Sequence, residues 1–314
     1  MDRILLKFIG IRVLRGIVTM ALVTLVIFVL THMIGSPVLQ LLPPNYTQAD
    51  FDTLNTALGY DRPLYEQFAS FIGRLLRGDL GNSTSFSQPV AAVIGSRLPI
   101  TLTLAGLALA FGGILALLSG FIAGFTGSRA GEAIVTFIAT LGLAVPPFAV
   151  GIILIVIFAV NLRILPSGGW GQANQMILPA LTLSLAVYAG VARVARSSMR
   201  ERAGMEFVVL ARTKGLTPSQ IFFNHTVRPS LPPVISYFAV LAGSLFSGAV
   251  VTEAVFGIPG LGTLAVQSVE TRDQNLVIGI VLFSAFLFVF LNVVADLVAA
   301  ALDPRIKLSG GAES

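Results

Sequence analysis

The stretch "ARTKGLTPSQIFFNHTVRPSLPPV", Ala211 to Val234, decides how this chain is read. It is a basic, heavily punctuated segment in an otherwise greasy sequence. Gly215 stands where a helix wants a left-handed C-terminal cap. Thr217-Pro218-Ser219-Gln220 then restarts the chain as a capping box, with Thr217 as N-cap, Pro218 in the first helical position and Gln220 reaching back. The helix before the corner is expected to run unbroken from Ala192 to Lys214, so that two helices meet sharply around Gly215. Phe207, Leu210 and Leu216 are its expected apolar tips, flanked by Arg212 and Lys214.

Outward from this corner, charge disappears. Asp, Glu, Lys and Arg are absent from Gly16–Ala49, Leu98–Ser128, Ala133–Leu162, Ile164–Ala192, Pro229–Thr252 and Gln274–Ala295. Each run holds a stretch able to cross a hydrocarbon core of roughly 30 Å, which takes about 20 helical residues. Six spans follow, near 16–34, 99–125, 133–160, 176–192, 231–251 and 276–294. With 55% hydrophobic residues, 11% charged residues and a mean hydropathy of +0.88, the 314-residue chain is a membrane protein rather than a pair of soluble domains.

The net charge of +5 is topological. Arg193, Arg196, Arg200, Arg202, Arg212, Lys214 and Arg228 cluster between spans four and five against Glu201 and Glu206, and Arg3, Lys7, Arg12 and Arg15 precede span one. Six alternating spans put both clusters on one face, and lysine and arginine excess marks the cytoplasm. Both termini are therefore expected inside, with no nucleic-acid partner. The apolar run after Lys7 is expected to stay as a span, since no small-residue cleavage site follows it. The absence of cysteine excludes disulfides and thiolate chemistry.

The organisation expected is a first span within 1–34, an outer segment over 35–97, and a five-span core over 98–314 that includes the loop 193–230. Within the outer segment Leu64, Tyr65, Phe68, Phe71, Ile72, Leu75 and Leu76 recur at helical spacing behind Pro63, which predicts an amphipathic helix packed on the protein or on the membrane surface. Span two carries Ala108, Gly112, Ala116, Gly120 and Gly124 at intervals of four, a face of small residues that lets another helix approach closely. Pro146-Pro147 should kink or break span three.

The chain shows no means of powering transport. It has no G-x-x-x-x-G-K-[ST] phosphate loop. The five later spans lack a mid-membrane ionisable relay of the kind proton-coupled carriers use. A secondary transporter or channel is therefore disfavoured. A membrane enzyme would need a constellation of acids, bases or metal ligands, and the two histidines, His32 and His225, fall on opposite faces. A purely structural membrane protein would leave the capped corner unexplained. Glu253 opens the turn "EAVFGIPGLG" at the outer mouth, where Gly257, Pro259, Gly260 and Gly262 permit a tight loop. That turn is read as a capped corner, or as a gate or partner contact.

The segment "EFVVLARTKGLTPSQIFFNHTVRPSLPPVI" resembles the EAA loop of ABC-importer permeases of the dipeptide, oligopeptide and nickel branch. "LGYDRPLYEQF" and "LLRGDLGNS" in the outer segment, "VTEAVFGIPGLGTL" after span five and "ALDPRIK" near the end extend the resemblance over nearly the whole chain. The enlarged outer segment matches the B-type member of the permease pair. The resemblance implies an all-α membrane protein with six transmembrane helices, the type I importer fold, and a coupling helix-turn-helix. By position the coupling element falls on Val209, Leu210, Ala211, Arg212, Thr213, Lys214, Gly215, Leu216, Thr217 and Pro218. The general motif's glutamate is absent there, Pro229 replaces a smaller or polar residue, and "GSP" near Ser36 lacks an acidic neighbour.

The implied partners are a second homologous permease, one or two cytoplasmic ATPase subunits, a periplasmic or lipid-anchored solute-binding protein, and membrane lipid. No cofactor, metal or catalytic residue is expected in this chain, because ATP and Mg would be bound by the ATPases. The implied activity is import of di- or oligopeptides across the bacterial inner membrane by alternating access. A nickel complex, glutathione or an opine are the alternatives within the family.

Overall fold

A computed structural model describes residues 2–34, 42, 45–57 and 59–302. The "GSP" stretch and residues 303–307 of "ALDPRIK" lie outside them. The described residues form helices α1 (Asp2–Ile34), α2 (Gln48–Ala57), α3 (Leu64–Leu76), α4 (Val90–Thr126), α5 (Arg129–Ala144), α6 (Pro147–Leu154), α7 (Ile177–Ala203), α8 (Glu206–Thr213), α9 (Pro218–Gln220), α10 (Arg228–Phe256), α11 (Leu261–Glu270) and α12 (Gln274–Leu302). π-Helical turns continue α6 over Ile155–Asn161 and join α9 to α10 over Ile221–Val227. Among the described residues there is no strand, only an isolated bridge between Asn82 and Pro89.

Four helices are long and apolar enough to cross a membrane, and six spans result when the bent pairs 129–161 and 218–256 are each counted once. The third span is broken outright, by 107°. Val145 and Pro146 each precede a proline, which disfavours the helical region, and both adopt extended ψ values of 123° and 141°. Two successive pre-proline residues therefore produce a corner rather than a kink.

The chain divides into two compact units, Met1–Gly16 with Leu98–Thr263 and Leu287–Ser314, and Ile17–Arg97 with Leu264–Phe286. Four helices, α1, α4, α11 and α12, each contribute to both units.

In the larger unit, α7 is the central helix. The small-residue stripe of α4 lies directly on it: a methyl group on Gly112 would come within 2.5 Å of the Ser184 carbonyl oxygen, on Gly120 within 2.7 Å of that of Ala192, and on Gly124 within 2.5 Å of that of Arg196. Ala108 and Ala116 are fully buried, and the Ser184 hydroxyl donates to the Ala108 carbonyl at 3.2 Å. Contacts rise together in number along both helices, so α4 and α7 run parallel. Gly142 of α5 meets Leu185 and Ala189 on another side of α7, and Tyr237 of α10 fills the space beside Gly190. Glu132, in the first turn of α5, pairs with Arg200 and, at 4.0 Å, with Arg196, which holds the 126–132 loop and the end of α7 on one face.

In the smaller unit, α3 forms where the apolar spacing predicts, with Pro63 as its N-cap. Its Phe68 and Phe71 pack on Phe28 of α1, ring centroids 5.1 and 5.9 Å apart. Asp273 caps α12 through a 3.1 Å bond from the Leu276 N–H and reaches the stretch before α4, accepting from the Ser83 hydroxyl at 2.5 Å and the Ser85 N–H at 3.0 Å. Burial raises the pKa of Asp273, but these donors outweigh it and hold the carboxyl below the usual aspartate value.

Candidate functional site

The corner around Gly215 is built from three short pieces. Contrary to the expected unbroken run to Lys214, α7 stops at Ala203, Gly204 and Met205 redirect the chain, and α8 restarts at Glu206. Met205 is extended, with ψ 152°. The redirection turns Val208 and Ala211 inward, where they pack with Ile221 beside Phe125 and Leu216. The corner thus has its own small core, anchored to the end of α4.

The turn follows the predicted chemistry. Gly215 has φ +79°. The Leu216 N–H donates to the Ala211 carbonyl at 3.2 Å and the Gly215 N–H to that of Arg212 at 3.0 Å, the paired bonds of a Schellman cap. The Gln220 N–H donates to the Thr217 hydroxyl oxygen at 3.4 Å, and Gln220 Oε1 accepts from the Thr217 N–H at 2.9 Å, closing the capping box.

The corner presents its side chains in two classes. Val209 and Leu210 are 59% and 56% exposed, Phe207 is also exposed, and Arg212, Thr213, Lys214, Gly215, Thr217 and Pro218 lie on the surface. Ala211 is buried and Leu216 half-buried, so these two shape the corner rather than tip it. Phe223, 63% exposed, is an apolar tip that sequence reasoning missed. The adjacent phenylalanines of "IFFN" divide the work: Phe222 turns in against Phe125, centroids 5.1 Å apart, and Phe223 turns out. His225 is half-buried with Nδ1 3.4 Å from the Gln220 carbonyl oxygen, a contact within the corner itself.

The turn after α10 is closed in the opposite manner. Gly257 has φ +61°, and the Ile258 N–H donates to the Glu253 carbonyl at 2.9 Å, again a Schellman cap. The Glu253 side chain has no exposed surface. Its Oε1 accepts from the Thr101 hydroxyl at 2.6 Å, and its Oε2 accepts from the N–H groups of Gly262 at 2.7 Å and Thr263 at 3.3 Å. Thr101 Oγ1 in turn accepts from the Leu261 N–H at 2.9 Å. The first three N–H groups of α11, which have no partner within the helix, are all satisfied.

The glycines of this turn follow from the carboxylate. A methyl group on Gly260 would fall on the carboxylate of Glu253, and one on Gly262 would fall on Val250 and lie 2.9 Å from Glu253 Oε2. Of the five residues expected at an outer gate or partner contact, Glu253, Gly260 and Gly262 are buried. Gly257 is exposed and Pro259 half-exposed. In this conformation the Glu253 carboxylate is engaged by its own turn and by Thr101. Thr101 and Asp273 were not picked out from the sequence, because their partners lie 152 and 190 residues away.

Fold and corner together define a polytopic, all-helical membrane protein with a capped helix-turn-helix projecting from its core. The comparisons with known proteins make the class specific. Residues 116–308 match the family model described as "Binding-protein-dependent transport system inner membrane component", and the chain belongs to that family.

Over 288 residues it is 32% identical to the dipeptide transport system permease protein DppB of Lactococcus lactis, covering 91% of this chain and 94% of that one. It is 34% identical over 307 residues to the oligopeptide transport system permease protein OppB of Haemophilus influenzae, covering 96% and 100%. It is also 34% identical over 304 residues to the glutathione transport system permease protein GsiC of Escherichia coli, covering 96% and 99%. Among solved structures, the inward-facing MetNI methionine ABC transporter matches 67% of this chain and 96% of its own with a TM-score of 0.55 at 16% identity, a likeness of fold.

Proposed function

We propose that this chain is the membrane-spanning subunit of an ATP-driven, binding-protein-dependent importer of di- or oligopeptides. The observation that carries the mechanism is the Gly215 corner: a locally capped hairpin, anchored on Phe125, with exposed Val209, Leu210 and Phe223 beside Arg212 and Lys214. Apolar tips on a rigid frame with a basic flank suit a groove on a soluble partner, here one or two cytoplasmic ATPase subunits. A second, homologous permease would complete the path, and a solute-binding protein would deliver cargo at the opposite face. The chain's role is translocation, with ATP and Mg held by the ATPases.

The orientation, both termini in the cytoplasm, rests on the basic clusters. The Glu132–Arg200 pair supports the alternation on which that orientation depends, joining the start of α5 to the end of α7, which six spans put on one side. The Ser83–Asp273 bond does the same for two segments on the other side. Peptide cargo rests on the dipeptide and oligopeptide permeases among the relatives; the glutathione relative supports a modified tripeptide as the second reading.

The test is a detergent pull-down of the chain expressed with its genomic neighbours, followed by reconstitution and uptake of labelled dipeptide, tetrapeptide and glutathione. Stoichiometric recovery of a second permease and ATPases, with ATP-dependent peptide uptake, is expected. Recovery of the chain alone, with the neighbours expressed, would overturn the coupling assignment.

A further inference from the structure

The smaller unit encloses a cavity of about 370 Å³ beneath α3, within the range of about 300–1,000 Å³ that holds small ligands. Its charged lining is balanced: Arg62 and Arg74 against Glu66 and Asp79. These groups do not neutralise one another, since among the described residues no ion pair joins either arginine to either acid. Asp79 instead accepts from the Gly81 N–H at 2.9 Å. Two guanidinium groups and two carboxylates around one cavity match a ligand that carries an anion and an ammonium group together.

The apolar lining fixes the depth. Phe28 belongs to the hydrophobic window Gly10–Leu30 and Ile278 to the window Gln274–Val294, so this wall of the cavity lies at the boundary of two membrane spans. Beside it, Tyr65 and Leu76 of α3 are 72% and 82% exposed, and Leu64 is exposed as well. Large apolar side chains and a tyrosine uncovered at this level are what a membrane interface covers.

We propose that this cavity binds the headgroup of a zwitterionic aminophospholipid. The phosphate sits with Arg62 and Arg74, the ammonium faces Glu66 and Asp79, and the upper acyl chain follows Phe28, Phe71 and Ile278. A free zwitterion such as a short peptide has the same charges, but it gives no use to a wall set in the spans or to the exposed apolar face of α3. The assignment is independent of what the transporter carries.

The experiment is native mass spectrometry of the purified full-length chain with its partner subunits, released from nanodiscs of phosphatidylethanolamine, phosphatidylcholine or phosphatidylglycerol. Retention of phosphatidylethanolamine above the other two is expected, and Arg62→Ala or Arg74→Ala should each weaken it about tenfold, the loss of one charge-assisted bond. Both arginines are exposed, and size-exclusion profiles verify that the variants assemble. Arg77→Ala, an exposed arginine outside the cavity, should retain lipid as the parent does. Equal retention of all three lipids, or a double arginine variant that holds phosphatidylethanolamine like the parent, overturns the proposal. So does displacement of the lipid by a millimolar dipeptide, which would make the cavity a peptide site.

Discussion

The corners at Gly215 and Gly257 close with the same backbone device and secure the following helix by opposite means. Each ends a helix with a left-handed glycine and a Schellman pair. At Gly215 the next helix is capped by Thr217 and Gln220, three residues apart and exposed. At Gly257 the next helix is capped by Glu253 and Thr101, buried and drawn from separate parts of the chain. The first corner draws its caps from its own residues and leaves most of its side chains exposed. The second surrenders its side chains to the fold and ties α4, α10 and α11 into one knot.

Substitutions can break this contrast, and the largest effect on stability is expected at Glu253. Glu253→Ala strips acceptors from the Thr101 hydroxyl and from two amides in a buried site, at about 1–3 kcal/mol for each orphaned group. It should give the largest loss of thermal stability in detergent, and a parent-like melting midpoint would show the knot to be dispensable. Next comes Gly215→Val, which forces a β-branched residue to positive φ for at least about 1–2 kcal/mol. Membrane insertion should persist while uptake is abolished, and normal uptake would detach the corner from coupling.

Thr217→Ala should cost less, about 1 kcal/mol for a lost N-cap, and only locally. Amide hydrogen exchange should rise over 217–221 and stay unchanged over 261–263; a matching rise at both corners would erase the distinction between them. Smallest in stability is Leu210→Asp, an exposed change expected within about 0.5 kcal/mol. It should leave the melting midpoint in place and remove the ATPase subunits from a pull-down, whereas retained ATPases would put the docking contact elsewhere on the corner.

The same contrast explains what could be foreseen. The Gly215 turn and its capping box were legible because every bond in them joins residues five or fewer apart. The α4 stripe was legible because helical geometry alone puts residues four apart on one face, although its partner, α7, was not. The stop at Ala203 was missed although Gly204 follows it: that glycine adopts an ordinary right-handed conformation, φ −87°, and the break buries Val208 and Ala211. "EAVFGIPGLG" showed that a turn was needed but not that its glutamate turns inward, since that depends on Thr101 in another helix. Pro146-Pro147 announced a break, and its 107° angle was set by the two pre-proline residues acting in succession.

The second arm of the Gly215 corner is not a separate helix at all. From Pro218 through the π-turn to Phe256 the chain stays helical, roughly 58 Å of it at about 1.5 Å per residue, with a 52° bend between Leu245 and Ala249. In the proposed transporter such an element would act as a crank: a sideways push from a docked ATPase at Pro218 would reach Glu253 as rotation of a bent shaft, and so as torque on the knot at the far end.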